Sequence, residues 1–188
     1  MLSRKRQLPT SNGMEAGQTL IVRKPSFWSG DRAIIDENGA TIGAFRMTSR
    51  WSYRTAEGES GGKKLTFSNS GWNTWKSQAK DEAGRVVGKI ERKGWCGNSA
   101  RVMLYEKEYL WRLSTWGTHF WIEGDGKEVV RVSGCGGFGR GGKATFNQSL
   151  DTHEAVMLIC LGLYQMRLFE MEVATSTAVI AGGVASVA

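Results

Sequence analysis

At 188 residues, with 25 Lys and Arg against 18 Asp and Glu, 25 Gly, two Pro and eight Trp, the sequence suits one well-cored domain and shows no obvious second one. The net charge of +7 is uneven: residues 1–150 hold 24 cations and 14 acids, and residues 151–188 hold only Arg167 against Asp151, Glu154, Glu170 and Glu172. A basic body suits phosphate-bearing partners, while three widely spaced Cys, at 96, 135 and 160, exclude a disulfide framework or Cys-rich metal cluster and point to a reducing cytoplasm.

The start, "MLSRKRQLPTSNGMEAGQ", is charged and lacks the apolar core of a signal peptide, so residues 1–17 are expected to form a flexible basic arm. Short runs rich in β-branched and aromatic residues follow: "TLIVRK", "RAIID", "ATIGAFRM", "KLTFS", "WKSQAKD", "RVVGKIE", "ARVMLYE", "EYLWRLST", "HFWIEG" and "KEVVRVS". Gly, Asn or Asp clusters bound many of them, as in strands joined by turns. Three of the turns echo one another. "IIDENGATIGAF", "AKDEAGRVVGKI" and "WIEGDGKEVVRV" place Asp36, Asp81 and Glu123 three residues before Gly39, Gly84 and Gly126, at spacings of 45 and 42. Each acid is expected to accept hydrogen bonds from turn amides, and each Gly to take the positive φ that closes a hairpin. The loops offer too few oxygen ligands for calcium.

The stretch "GCGGFGRGGKAT", Gly134 to Thr145, approaches the Walker A pattern of a nucleotide-binding loop. Such a loop must run straight into a helix whose first amides bind phosphate, with a hydroxyl directly after the Lys for magnesium. Here Ala144 follows Lys143, and "FNQSLD" intervenes before the next helix signal. The stretch is read as a turn, with Arg140 and Lys143 available to a phosphate group.

At Asp151 the pattern changes. "DTHEAVMLICLGLYQMRLFEME" begins with an N-cap Asp and has Glu154 placed as in a capping box. From Ala155 to Tyr164 every residue is apolar or Gly, so a helix over about 152–170 has no polar face and must be buried on all sides or lie in a membrane. The run is short for a span and Gln165 and Arg167 follow it, which favours burial in protein. A closed ring of strands around this helix satisfies both halves of the chain: closure removes the sheet edges and the helix fills the lumen. The remainder, "VATSTAVIAGGVASVA" (173–188), is an uncharged tail that suits a loose or partner-bound segment, a protein partner included.

Candidate chemistry is sparse. Lys63 and Lys64 stand in "SGGKKLTF", and "RMTSRWSYR" interleaves Arg46, Arg50 and Arg54 with Trp51 and Tyr53. Cations beside aromatics suit membrane interfaces and single-stranded nucleic acid alike. His119 reads as a strand residue, His153 as part of the helix cap, and Cys160 as an inert core thiol; Cys96 and Cys135 have no base partner in the sequence. No catalytic, metal or cofactor motif is present, so a non-enzymatic binding domain is expected.

Two stretches carry a resemblance to a known group: "TLIVRKPSFWSGDRAIIDENGATIGAFRM" and "LDTHEAVMLICLGLYQMRLF". They resemble the opening strands and closing hydrophobic helix of the tubby C-terminal-like superfamily, which includes LURP-one-related proteins and phospholipid scramblases. The resemblance covers roughly residues 18–172. It implies a closed antiparallel β-barrel of about twelve strands around the C-terminal helix, and phosphoinositide or phospholipid binding for some members. The scramblases' Cys-rich palmitoylated stretch is absent. The expected ligand is anionic phospholipid at a membrane surface, met peripherally from the cytoplasm by Arg140, Lys143, Lys63, Lys64, Arg50 and Arg54. A nucleic-acid- or protein-binding module using the same surface is the second reading.

Overall fold

The computed structural model describes residues 13–25, 30–48, 54–70, 75–93, 98–134 and 141–184, with side chains as far as Thr175. The strands are β1 (Gly13–Met14), β2 (Thr19–Arg23), β3 (Arg32–Ile35), β4 (Thr41–Met47), β5 (Thr55–Ser60), β6 (Lys63–Asn69) and β7 (Lys76–Lys80). They continue with β8 (Val86–Lys93), β9 (Ser99–Leu104), β10 (Lys107–Leu113), β11 (His119–Gly124), β12 (Lys127–Ser133), β13 (Gly141–Phe146) and β14 (Leu150–Asp151). Among the described residues one helix, α1 (Thr152–Val184), follows the strands.

Strands β2 to β13 form a closed barrel in which each strand pairs antiparallel with its chain neighbours. The last joins the first through Ala144↔Leu20 and Gly142↔Val22. Alternation does the sorting: Leu65 and Phe67 on β6, Val102 and Leu104 on β9, and Phe120 and Ile122 on β11 point inward and are buried. All ten expected strand runs are present. Of the expected arm, residues 1–12 lie outside the described residues, while β1 belongs to the fold: it pairs with β14 through Met14↔Leu150, and Met14 is buried.

Helix α1 occupies the lumen. Ala155 to Leu161 are fully buried without interruption, as the absence of a polar face requires. Asp151 Oδ1 accepts hydrogen bonds from the amides of His153 (2.9 Å) and Glu154 (3.2 Å), so the N-cap is formed. The other half of the capping box is not: the Glu154 carboxylate instead takes the Tyr109 hydroxyl at 2.6 Å and Lys107 Nζ at 2.7 Å.

The helix lies close to β4 and β5, and the wall thins to admit it. A Cβ on Gly43 would stand 2.4 Å from Val156 Cγ1, and one on Gly58 3.0 Å from Cys160 Cβ. That is why "TAEGES", with Ala56, Gly58 and Ser60 inward, forms a buried strand without looking like one. Burial pushes the Cys160 thiol well above its ordinary pKa. A thiol reagent is therefore expected to leave Cys160 unmodified in the folded chain and to label it on denaturation, read by peptide mass mapping; labelling at equal rates in both states contradicts the buried helix.

The three echoed turns share a second feature. Each hairpin carries a register shift: between Ile34 and Ile35, between Ala79 and Lys80, and between Ile122 and Glu123. The residues skipped on the return strands are Ile42, Val87 and Val129, again 45 and 42 apart. A bulge at every fourth strand sharpens the twist that closes the barrel. Gly39, Gly84 and Gly126 all have positive φ. Asp36 Oδ1 accepts from the amides of Asn38 and Ala40, and Asp81 Oδ1 from that of Arg85. Glu123 departs from the expectation: it holds Trp121 Nε1 at 2.8 Å and Arg112 Nε at 3.1 Å, while Asp125, itself at positive φ, makes the turn with Gly126.

Candidate functional site

An up-and-down barrel puts alternate connections at opposite ends, and the two ends differ in chemistry. At the end where α1 enters, tight hairpins prevail; we call it the hairpin end. Its connections (15–18, 36–40, 61–62, 81–85, 105–106, 125–126 and 147–149) hold seven acids, Glu15, Asp36, Glu37, Asp81, Glu82, Glu106 and Asp125, against Arg85 alone, a net −6. The other end is the mouth from which α1 leaves. By sequence its six connections (24–31, 48–54, 70–75, 94–98, 114–118 and 134–140) hold four cations, Lys24, Arg50, Arg54 and Arg140, against Asp31 alone, a net +3.

Aromatic residues follow the same division. Six of the eight Trp fall by sequence in mouth connections, which no composition argument alone would have separated. Of these, Trp75 and Trp116 are among the described residues, 39% and 88% exposed. Trp116 lies beside a shallow recess of about 460 Å³ that includes Arg112, His119 and Trp121. His119 stacks on Trp121 with ring centroids 5.8 Å apart, and Arg131 stands 5.3 Å over the same indole. His119 Nδ1 lies 3.2 Å from Thr118 Oγ1.

A collar of charged and polar groups holds the helix where it leaves. Arg92, buried near the end of β8, donates to Gln165 Oε1 (3.2 Å), to the Gln165 carbonyl (3.0 Å) and to Glu172 (2.6 Å). Burial pulls its guanidinium below the usual pKa and Glu172 pulls it back. The Tyr164 hydroxyl lies 2.7 Å from the Arg54 carbonyl and 2.9 Å from Asn69 Oδ1. Arg167 pairs with Glu170 at 2.5 Å. Lys24 sits in the field of this collar: burial first, then Arg32 and Arg167, hold its ammonium below the ordinary pKa. Cations are crowded here.

Of the six cations expected to meet phosphate, the four among the described residues do not converge. Lys63 and Lys64 start β6 at the hairpin end, beside a cleft of about 830 Å³ shared with Asp81, Glu82, Arg85, Tyr105 and His153. Lys143 is exposed on the outer wall in β13, the strand that replaces the expected turn at its residues 141–145. Arg54 is exposed at the mouth. Arg50 and Arg140 lie outside the described residues, as do Cys96 and Cys135. His153 gives its amide to the cap, but its ring bonds the Tyr105 hydroxyl at 2.9 Å rather than the cap. The residues that sequence reasoning passed over are Arg92, Trp75 and Trp116; the signal for the two Trp was the parity of the connections, legible only with every strand counted.

No family model matches the chain, and no curated protein does. Among solved structures, the X-ray structure of a protein from Arabidopsis thaliana is similar, with a TM-score of 0.54 and 11% identity over 80% of this chain and 92% of that one. Among the described residues no helix is long and apolar enough to cross a membrane. The likeness to the plant protein is therefore one of fold: a closed twelve-stranded barrel with one helix through it.

Proposed function

We propose that this chain is a non-catalytic domain of the tubby-like, LURP-one-related kind, and that it binds the surface of an anionic phospholipid membrane from the cytoplasm. The observation that carries the reading is the opposition of charge between the two ends of the barrel. A negatively charged bilayer attracts the cationic mouth and repels the acidic hairpin end, so the barrel has one way to face it. Trp75 and Trp116 stand exposed at the favoured end, where indoles suit the headgroup layer. Shared fold supports the family reading and leaves the ligand to experiment.

Sedimentation with vesicles tests it. The chain is expected to pellet with phosphatidylcholine vesicles containing phosphatidylserine and to stay in solution with phosphatidylcholine alone. Replacing Arg50 and Arg54 together by Ser should weaken partitioning by about 2 kcal/mol, roughly 30-fold at low salt, because each cation near such a surface contributes about 1 kcal/mol. The same change at Lys63 and Lys64, on the acidic end, should cost far less. Equal retention on both vesicle types removes the lipid reading. Steep salt dependence on oligonucleotides with indifference to lipid headgroup favours a nucleic-acid module instead.

A further inference from the structure

We infer that the hairpin end of the barrel binds a small organic acid, a single carboxylate on an apolar, ring-sized body, in the cleft between the connections 61–62, 81–85 and 105–106. This site lies at the opposite end from the mouth and stands apart from the lipid reading. The cleft is about 830 Å³, a size that suits a small molecule. Leu65, Val86, Val87 and the Tyr105 ring give it an apolar lining, and Val86 is 46% exposed. Apolar side chains left to water in a concave place are what such a ligand covers.

Tyr105 is the strongest sign. It and Glu106 are the central residues of the β9–β10 hairpin, and both have positive φ, 50° and 68°. A two-residue turn of this kind favours Asn-Gly, because other side chains crowd their own backbone in the left-handed region. The chain places a tyrosine there despite the strain and holds it from two directions. Its amide donates to the Val87 carbonyl at 2.9 Å, and its hydroxyl lies 2.9 Å from His153 Nε2. Val87 is the extra residue of the β8 bulge, so bulge and turn together bring the Tyr105 ring to the cleft. Backbone strain sustained in this way marks a residue held for a function. The other ring nitrogen of His153, Nδ1, is buried without a partner, an unfilled valence at the cleft wall.

Charge selects the ligand. The hairpin end as a whole is acidic, yet the cleft is lined by three cations, Lys63, Lys64 and Arg85, and two acids, Asp81 and Glu82. Both acids are engaged: Asp81 Oδ2 takes Arg85 Nε at 2.7 Å, and Glu82 Oε1 takes the Lys64 amide at 2.9 Å. The ammonium groups of Lys63 and Lys64 pair with no acid among the described residues. Lys63 stands two residues before the buried Leu65 on the same face of β6, the lumen side. The Tyr105 side of the cleft is less hospitable to an anion. Burial first, then Asp81, Glu154 and Asp151, hold the Tyr105 hydroxyl above the ordinary phenol pKa. A bound carboxylate therefore faces the lysines, and its apolar body lies toward Tyr105. Two lysines balance one carboxylate, whereas a nucleotide or polyphosphate brings more charge than they offset and is repelled by the other acids of this end.

The experiment measures naphthoate binding to the full chain by titration calorimetry, with naphthamide, its uncharged counterpart, and inorganic phosphate as comparators. The parent chain is expected to bind naphthoate saturably and naphthamide on the order of tenfold more weakly, because only the acid makes charge-assisted bonds to the lysines. Phosphate should not displace it. A Lys63→Ser, Lys64→Ser variant should bind naphthoate on the order of tenfold more weakly while behaving like the parent on vesicles. Both lysines are exposed, so this variant keeps its fold. A Tyr105→Asn, Glu106→Gly variant restores the favoured turn residues and removes an acid; it should melt no lower than the parent, yet lose naphthoate binding. A purely structural tyrosine gives the reverse, a lower melting temperature with binding retained, and overturns the site. Absence of naphthoate binding, equal binding of acid and amide, or unchanged affinity in the lysine variant overturns it as well. Displacement by phosphate makes the cleft a bare anion site and overturns its apolar half. Vesicle binding is a separate measurement, so the lipid reading stands or falls apart from all of these.

Discussion

Leu158→Asp, and equally Leu161→Asp, is expected to yield a chain with no cooperative unfolding transition. Both leucines are fully buried on a helix that has no polar face to turn outward. A carboxylate placed there loses its hydration without gaining a partner, at a cost of several kcal/mol. A domain of this size has about 5–15 kcal/mol in all. Leu158→Ala separates charge from size: it should fold, with a loss of about 2–5 kcal/mol from the cavity left behind. Circular dichroism and calorimetry read both. A Leu158→Asp, Leu161→Asp double variant that folds cooperatively contradicts the lumen position of the helix.

Gly162→Ala is expected to lower stability by about 1–2 kcal/mol, against the sign that helix propensity gives. In an exposed helix the change is favourable by about 1 kcal/mol. Here the new Cβ would stand 2.1 Å from Phe120 Cε2 on β11 and 2.5 Å from Cζ. Ring or helix must move, and overpacking of this kind costs about 1–3 kcal/mol. Phe120→Leu alone should also destabilise, but in the Gly162→Ala background its cost should fall, with a coupling energy of about 0.5–3 kcal/mol in a double-mutant cycle. A more stable Gly162→Ala places the helix elsewhere in the lumen.

The wall and the plug could be read from sequence because each follows from one local pattern. "VVRV" and "ATIGAF" alternate or run apolar between turn residues, and "AVMLICLGLY" has no face to give to water. Two strands of the barrel escaped for opposite reasons. In β5 the inward residues are small because the helix presses on them, a fact about α1 and not about "TAEGES". In β13 the glycines and Lys143 imitate a loop, while pairing to β2, whose residues stand far earlier in the chain, makes them a strand.

The omission of β5 had a further effect on the reading of function. In an up-and-down barrel the end to which a connection belongs is decided by counting strands. Miss one, and every later turn changes sides. Lys63 and Lys64 then seem to stand with Arg54, although Lys63 and Lys64 open a strand at the acidic end and Arg54 lies at the other. Arg54, Lys63, Lys64 and Lys143 are exposed, but their grouping required the register. Arg92 was invisible for a simpler reason. Its neighbours in "KIERKG" are those of a solvated strand end, and its burial comes from Gln165 and Glu172, met only in three dimensions.

A threaded barrel also sets the order of events during synthesis. The helix that completes the core is made after all twelve wall strands, so the strands leave the ribosome before it does. Until the helix follows, the nascent sleeve has an apolar lining and nothing to cover it, which makes it a client for chaperones and a hazard at high expression. Ribosomes stalled with β13 emerged and α1 still within should therefore display a sticky, protease-sensitive chain that becomes resistant once the helix has emerged.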